Sequence, residues 1–161
     1  METAKVVVCL ANPNYPKHGG DYSDVILKQR SGQAPLPEEW DSTYYKKIAK
    51  ALKTDVNQIR KRVCLFNVCP YPSSTMDGAE KRLAAGLPSV WAAQKHLREV
   101  LSPEAEAGKI YLVVIRKHEL WGISDGFKSP NIVVVRGLER PGTIPEDVGK
   151  RISSWLNLDS K

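Results

Sequence analysis

Four short apolar runs rich in Val and Ile, separated by segments of helical spacing, predict an α/β domain: three αβα layers around a four-stranded, mostly parallel sheet. The runs are almost continuously apolar instead of alternating, which is the pattern of strands covered by helices on both faces. Between them, apolar residues recur every three or four positions, the spacing that lines one face of a helix. A length of 161 residues suits a single domain over 1–161, because chains split into several only beyond roughly 250 residues.

In chain order, Lys5–Leu10 (KVVVCL) is the first expected strand. Residues Asn12–Pro37, rich in Pro, Gly, Tyr and Asp, form the longest irregular segment, and a stretch that long in a compact domain is usually functional. Trp40, Tyr44, Ile48 and Leu52 stand at intervals of four and predict a helix over Glu39–Leu52. Arg62–Asn67 (RVCLFN) is the second strand. Leu87, Val90, Trp91, Leu97, Val100 and Leu101 predict a helix over Pro88–Leu101, with Pro88 in the first turn, where its missing N–H has no partner to lose. Lys109–Ile115 (KIYLVVI) is the third strand, followed by a short helix around Lys117–Gly122, and Asn131–Arg136 (NIVVVR) is the fourth. Val148, Ile152, Trp155 and Leu156 predict a closing helix over Pro145–Leu156. Most of the four tryptophans fall on these stripes and are expected in the core.

Lys and Arg number 24 against 18 Asp and Glu, a formal charge of +6 with a pI near 9.2. That balance suits a polyanionic partner without requiring one. The clusters Lys46, Lys47, Lys50, Lys53 and Arg60-Lys61-Arg62 also fit a solvated helix face and a helix C-terminus that favours cations. Three cysteines exclude a fully paired disulfide framework, and Cys9 and Cys64, inside apolar runs, fit buried thiols in a reducing, cytoplasmic compartment. No run approaches the roughly 18–20 apolar residues of a membrane span, and Val6–Ala11 is too short for a signal peptide, so no membrane partner is expected.

Several chemistries are absent as motifs. There is no G-x-G-x-x-G, no P-loop and no G-x-S-x-G, and the cysteines with His18, His96 and His118 lack zinc-site spacing. Cys69 follows the second strand without an adjacent basic partner, which favours a structural thiol over a nucleophile. Ligands of open α/β sheets bind outside the carboxyl ends of the strands. That rule selects Ala11-Asn12-Pro13-Asn14-Tyr15, the Asn67–Ser73 segment, Arg116-Lys117-His118 and the Gly137–Ile144 loop.

Taken in order, these strand ends resemble the uracil-DNA glycosylase superfamily. Leu10-Ala11-Asn12-Pro13-Asn14-Tyr15 is similar to the Asn version of its first motif, whose Asn positions the attacking water and stabilises the sugar cation. Val63-Cys64-Leu65-Phe66-Asn67 resembles the strand that ends on the Asn reading the pyrimidine edge, which implies that role for Asn67. Phe66 or Tyr15 would supply the aromatic face, with Tyr71 a further candidate wall. The chain departs from the family at Leu10, where a Gly is usual, at Asn14, and in the last motif, where Leu138-Glu139-Arg140-Pro141-Gly142-Thr143 stands for His-Pro-Ser. By position, Arg140 would replace the His as the positive donor and Ile144 would be the apolar wedge entering the DNA stack. Lys17, Arg116, Lys117, Arg136 and Arg140 would meet phosphates.

The resemblance implies a monomeric DNA-repair hydrolase that releases uracil or a related damaged base from single- or double-stranded DNA, with neither metal nor cofactor. The chemistry is compatible with two Asn side chains: one amide orients water, and another offers donor and acceptor to a flipped pyrimidine. Taken alone, Asn12-Pro13 also makes a turn, Asn67 also caps a strand end, and Tyr71 between Pro70 and Pro72 also stiffens a loop. The missing His leaves a non-catalytic nucleic-acid-binding or adaptor protein on the same fold as the alternative. An enzyme of free nucleotides is a third reading, weakened by the lack of a Gly-rich phosphate loop.

Overall fold

The computed structural model describes residues 4–12, 43–71, 73, 76–115, 117–124, 127, 129–135 and 144–158. The elements in chain order are β1 (Val6–Leu10), α1 (Thr43–Ala51), α2 (Val56–Arg62), β2 (Val63–Asn67), α3 (Gly78–Ala85) and α4 (Pro88–His96). A π-helical segment, Leu97–Leu101, joins α4 to α5 (Ser102–Glu106). Then come β3 (Tyr111–Ile115), a 3-10 turn (His118–Trp121), β4 (Ile132–Val135) and α6 (Glu146–Trp155).

Among the described residues the strands form one sheet in the order β2-β1-β3-β4. Every pairing is parallel, with Val6 opposite both Val63 and Tyr111 and Leu112 opposite Ile132. The two central strands β1 and β3 are buried along their whole length. Strand alternation sends Val6, Val8, Leu10, Tyr111, Val113 and Ile115 to one face, where Tyr45, Ile48, Ile59, Val148 and Ile152 of α1, α2 and α6 cover them. Val7, Cys9, Leu112 and Val114 face the other way, under Val90, Leu97, Leu101, Ala105 and Trp121. The result is the three-layer α/β fold expected, with the sheet wholly parallel.

The edges and ends differ from expectation in ways that packing explains. Cys64, expected buried, is exposed, because β2 is an edge strand and only its opening residue Val63, on the opposite face, is fully buried. The buried stripe of the α4–α5 helix runs Val90, Ala93, Leu97, Leu101 and Ala105, which leaves Trp91 at 55% and Val100 at 39% exposure outside it. Trp121 is fully buried and Trp155 half-buried, while Trp40 lies outside the described residues. The π segment ends two residues before Pro103, which has no N–H to give the preceding turn and whose ring crowds the carbonyl four residues back. Two helices lack the apolar periodicity that would announce them: α2 buries only Ile59, and α3 only Ala84. A local signal marks α2, since Asp55 caps its start by accepting from the Asn57 N–H at 3.1 Å.

Candidate functional site

The carboxyl ends of β1 and β2 lie side by side, with Leu10 opposite Asn67. Their pairing continues past the strands, as the Val68 N–H donates to the Leu10 carbonyl at 3.0 Å and the Cys69 N–H to that of Ala11 at 2.9 Å. The segments that carry Asn12 and Asn67 are thereby locked together. Asn12 Nδ2 donates to Ser73 Oγ at 2.9 Å and to the Ser73 carbonyl at 3.2 Å. A carbonyl only accepts, so the nitrogen of the amide must be the atom facing Ser73. In a planar amide, anchoring that nitrogen fixes the position of Oδ1 as well.

From β3's side, the buried indole of Trp121 donates to the Leu10 carbonyl at 3.2 Å. That carbonyl uses both lone pairs, one on Val68 and one on Trp121, and so pins the end of β1 to its two flanks. Asn67 Oδ1 is buried and has no hydrogen-bond partner among the described residues. A buried acceptor left in that condition costs about 1–3 kcal/mol, so Asn67 is held against its own solvation.

Other candidates are arranged differently from the expectation. Phe66 neighbours Asn67 in a strand and points to the opposite face, where its ring meets Trp121 at 5.3 Å and His96 edge-on at 5.7 Å. It belongs to the packing under α4, on the face opposite to that of Asn67. Ile144, expected as an exposed wedge, is 4% exposed. It continues the Val148, Ile152, Leu156 stripe of α6 one turn upstream and packs in the core with it. Tyr71 is 59% exposed beside the site, and Cys69 is buried with its Sγ 3.9 Å from the Tyr71 carbonyl. Tyr15, Lys17, Arg116, Arg136 and Arg140 lie outside the described residues.

The charges at this edge are largely paired. Lys117 forms an ion pair with Asp77, and Lys81 with Glu119. The Lys81 ammonium holds the Glu119 carboxyl below the usual carboxylate range, and His118 Nδ1 stands 3.5 Å from the same carboxyl group. Lys117 adopts a left-handed backbone at φ 46°, which starts the turn that brings Trp121 under Leu10. Among the described residues no group of three or more His, Cys, Asp or Glu side chains converges as metal ligands would, and none forms a helix long and apolar enough to cross a membrane. Burial pushes the Cys9 thiol far up, which leaves it inert in the sheet.

Sequence reasoning missed the two residues that organise this edge. Ser73 sits in a loop picked out only as a whole, and Trp121 reads as one apolar residue among many until the sheet order brings it to Leu10. No known protein family, curated protein or solved structure matches the chain.

Proposed function

We propose that the protein is a DNA base-excision glycosylase that hydrolyses the N-glycosidic bond of uracil or a related damaged pyrimidine flipped out of DNA. The observation that carries this reading is the buried Oδ1 of Asn67 at the carboxyl edge of the sheet, which has no partner among the described residues. Such an acceptor is maintained at a cost, and a pyrimidine N3–H is a donor that would repay it, while the amide nitrogen meets the neighbouring carbonyl oxygen of the base. Cleavage separates a cationic sugar from an anionic base, so the site needs a water held at the sugar and donors at the base oxygens. Asn12, anchored on Ser73 one strand away, is suited to the first task. An amide cannot deprotonate water, but it orients it, and the departing base supplies the driving force. The expectation that Arg140 supplies the positive donor rests on its place in the last motif.

The burial of Ile144 favours a second reading, a nucleic-acid-binding protein without catalysis, because the residue proposed to wedge into the stack is in the core. Uracil-containing oligonucleotides, single- and double-stranded, separate the two. Abasic product that falls by one to two orders of magnitude in Asn12→Ala supports the glycosylase. Binding without any abasic product at enzyme excess supports the alternative.

A further inference from the structure

The amino edge of the sheet carries a feature that the proposed function does not use. A cleft of about 560 Å³ is lined there by Lys5, Lys61, Arg62, Gly108, Lys109 and Trp155, together with Leu156 and Asn157. That volume lies within the roughly 300–1,000 Å³ usual for ligand sites. Three of its cations open strands: Lys5 precedes β1, Arg62 precedes β2, and Lys109 stands just ahead of β3. The parallel sheet gathers them, since the Lys5 N–H donates to the Arg62 carbonyl at 2.9 Å and the Tyr111 N–H to that of Lys5 at 2.8 Å.

Among the described residues the lining holds four positive side chains and no Asp or Glu. Among the described residues none of the four forms a salt bridge. Arg62 gives one N–H to the Leu156 carbonyl at 3.1 Å, which orients its guanidinium and leaves four donors of the five. The ends of α2 and α6 draw cations to this edge, but each supplies only about half a negative charge, so the balance over the described lining stays positive. Trp155, half-buried and packed 5.8 Å from the Tyr111 ring, forms an aromatic wall. A Cβ on Gly108 would stand 4.0 Å from the indole, so glycine here leaves the ring edge uncovered.

We propose that this cleft binds a nucleotide unit, with its phosphate among Lys5, Lys61, Arg62 and Lys109 and its base against Trp155. The chemistry is that of a cationic groove beside a stacking platform. The cleft is distinct from the carboxyl-edge site, because a five-residue strand separates the edges by about 16 Å. The nucleotide comes either from a single strand or free in solution, and two probes distinguish these.

The test measures anisotropy of a labelled 12-mer DNA strand without uracil across a salt series, on the wild type and on Lys61→Ser/Lys109→Ser, both surface positions. The wild type binds, and the double variant binds at least about tenfold more weakly, with the slope of log affinity against log salt reduced by about 1.4 for two lost contacts. Competition by AMP identifies a free nucleotide as ligand, and strand binding indifferent to AMP identifies the strand. Equal affinity and slope in the two proteins, no binding of strand or AMP by the wild type, or displacement by inorganic phosphate as effective as by AMP overturns the proposal. The strand carries no uracil, so this assay does not read base release, and failure here and failure of the glycosylase reading are separate results.

Discussion

Replacing Asn67 with leucine tests whether that side chain serves the fold or a ligand. Its Oδ1 is a buried acceptor without a partner among the described residues, and such a group costs about 1–3 kcal/mol. The residue as a whole keeps partial exposure, which sets the recoverable amount at the lower end, about 1 kcal/mol. Leucine has nearly the same shape and suits a strand better than asparagine by a few tenths of a kcal/mol. The sum, about 1 to 1.5 kcal/mol, raises Tm by about 2 to 5 °C in a chain of this size. Thermal unfolding followed by circular dichroism at pH 7 reads the sign directly. A rise accompanied by loss of base release identifies a residue kept for function at the expense of stability. A Tm lowered by 2 °C or more would refute the reasoning, because it would mean that the amide makes bonds the fold needs.

Three further outcomes follow from the packing. Trp121→Phe loses one hydrogen bond of about 1 kcal/mol and roughly 50 Å² of buried ring worth about 1.3 kcal/mol, so the urea midpoint should report a loss of about 2–3 kcal/mol. A loss below 1 kcal/mol contradicts its role in pinning β1. Burial holds the Tyr45 phenol neutral up to about pH 12. The unfolded phenol ionises near 10, so stability falls as pH rises from 10 to 12, by about 2–3 kcal/mol in all. Tyr45→Phe should lack this component when urea midpoints at pH 8 and pH 11.5 are compared, and an identical pH dependence in both proteins contradicts it. Gly149→Ala gains about 1 kcal/mol of helix propensity. Its new Cβ, however, stands 3.0 Å from the Ala51 backbone oxygen, and the helices must part. The expected net is a loss of about 1 kcal/mol, and a raised Tm refutes the close α1–α6 approach.

The strands were legible because a parallel sheet buried on both faces leaves continuous apolar runs, and all four appear within two residues of their expected bounds. The helices were legible where they bury a stripe. Trp91 and Val100 were assigned to the α4 stripe on spacing too wide for a helix that buries one narrow row. The short helices α2 and α3, with one buried residue each, carry no period to read. At the site, Asn12 and Asn67 were legible from the rule that ligands meet the carboxyl ends, and the strand order brings those two ends together. Phe66 as a partner of Asn67 conflicts with the strand period itself, since consecutive residues face opposite ways. Ile144 belongs to the four-residue spacing of α6, at a position one residue ahead of the expected start of the helix. The cations of the amino edge were also in view, because three of the four expected strands open on Lys or Arg, but their convergence depends on parallel pairing in register.

The most direct measurement is the single-turnover rate of uracil release from a single-stranded oligonucleotide by wild type and Asn67→Leu. If the buried carbonyl of Asn67 meets the pyrimidine in the transition state, the wild type releases base and the variant is slower by about a hundredfold or more while remaining folded. Equal rates in the two proteins, or no release by the wild type at excess over DNA, would contradict it.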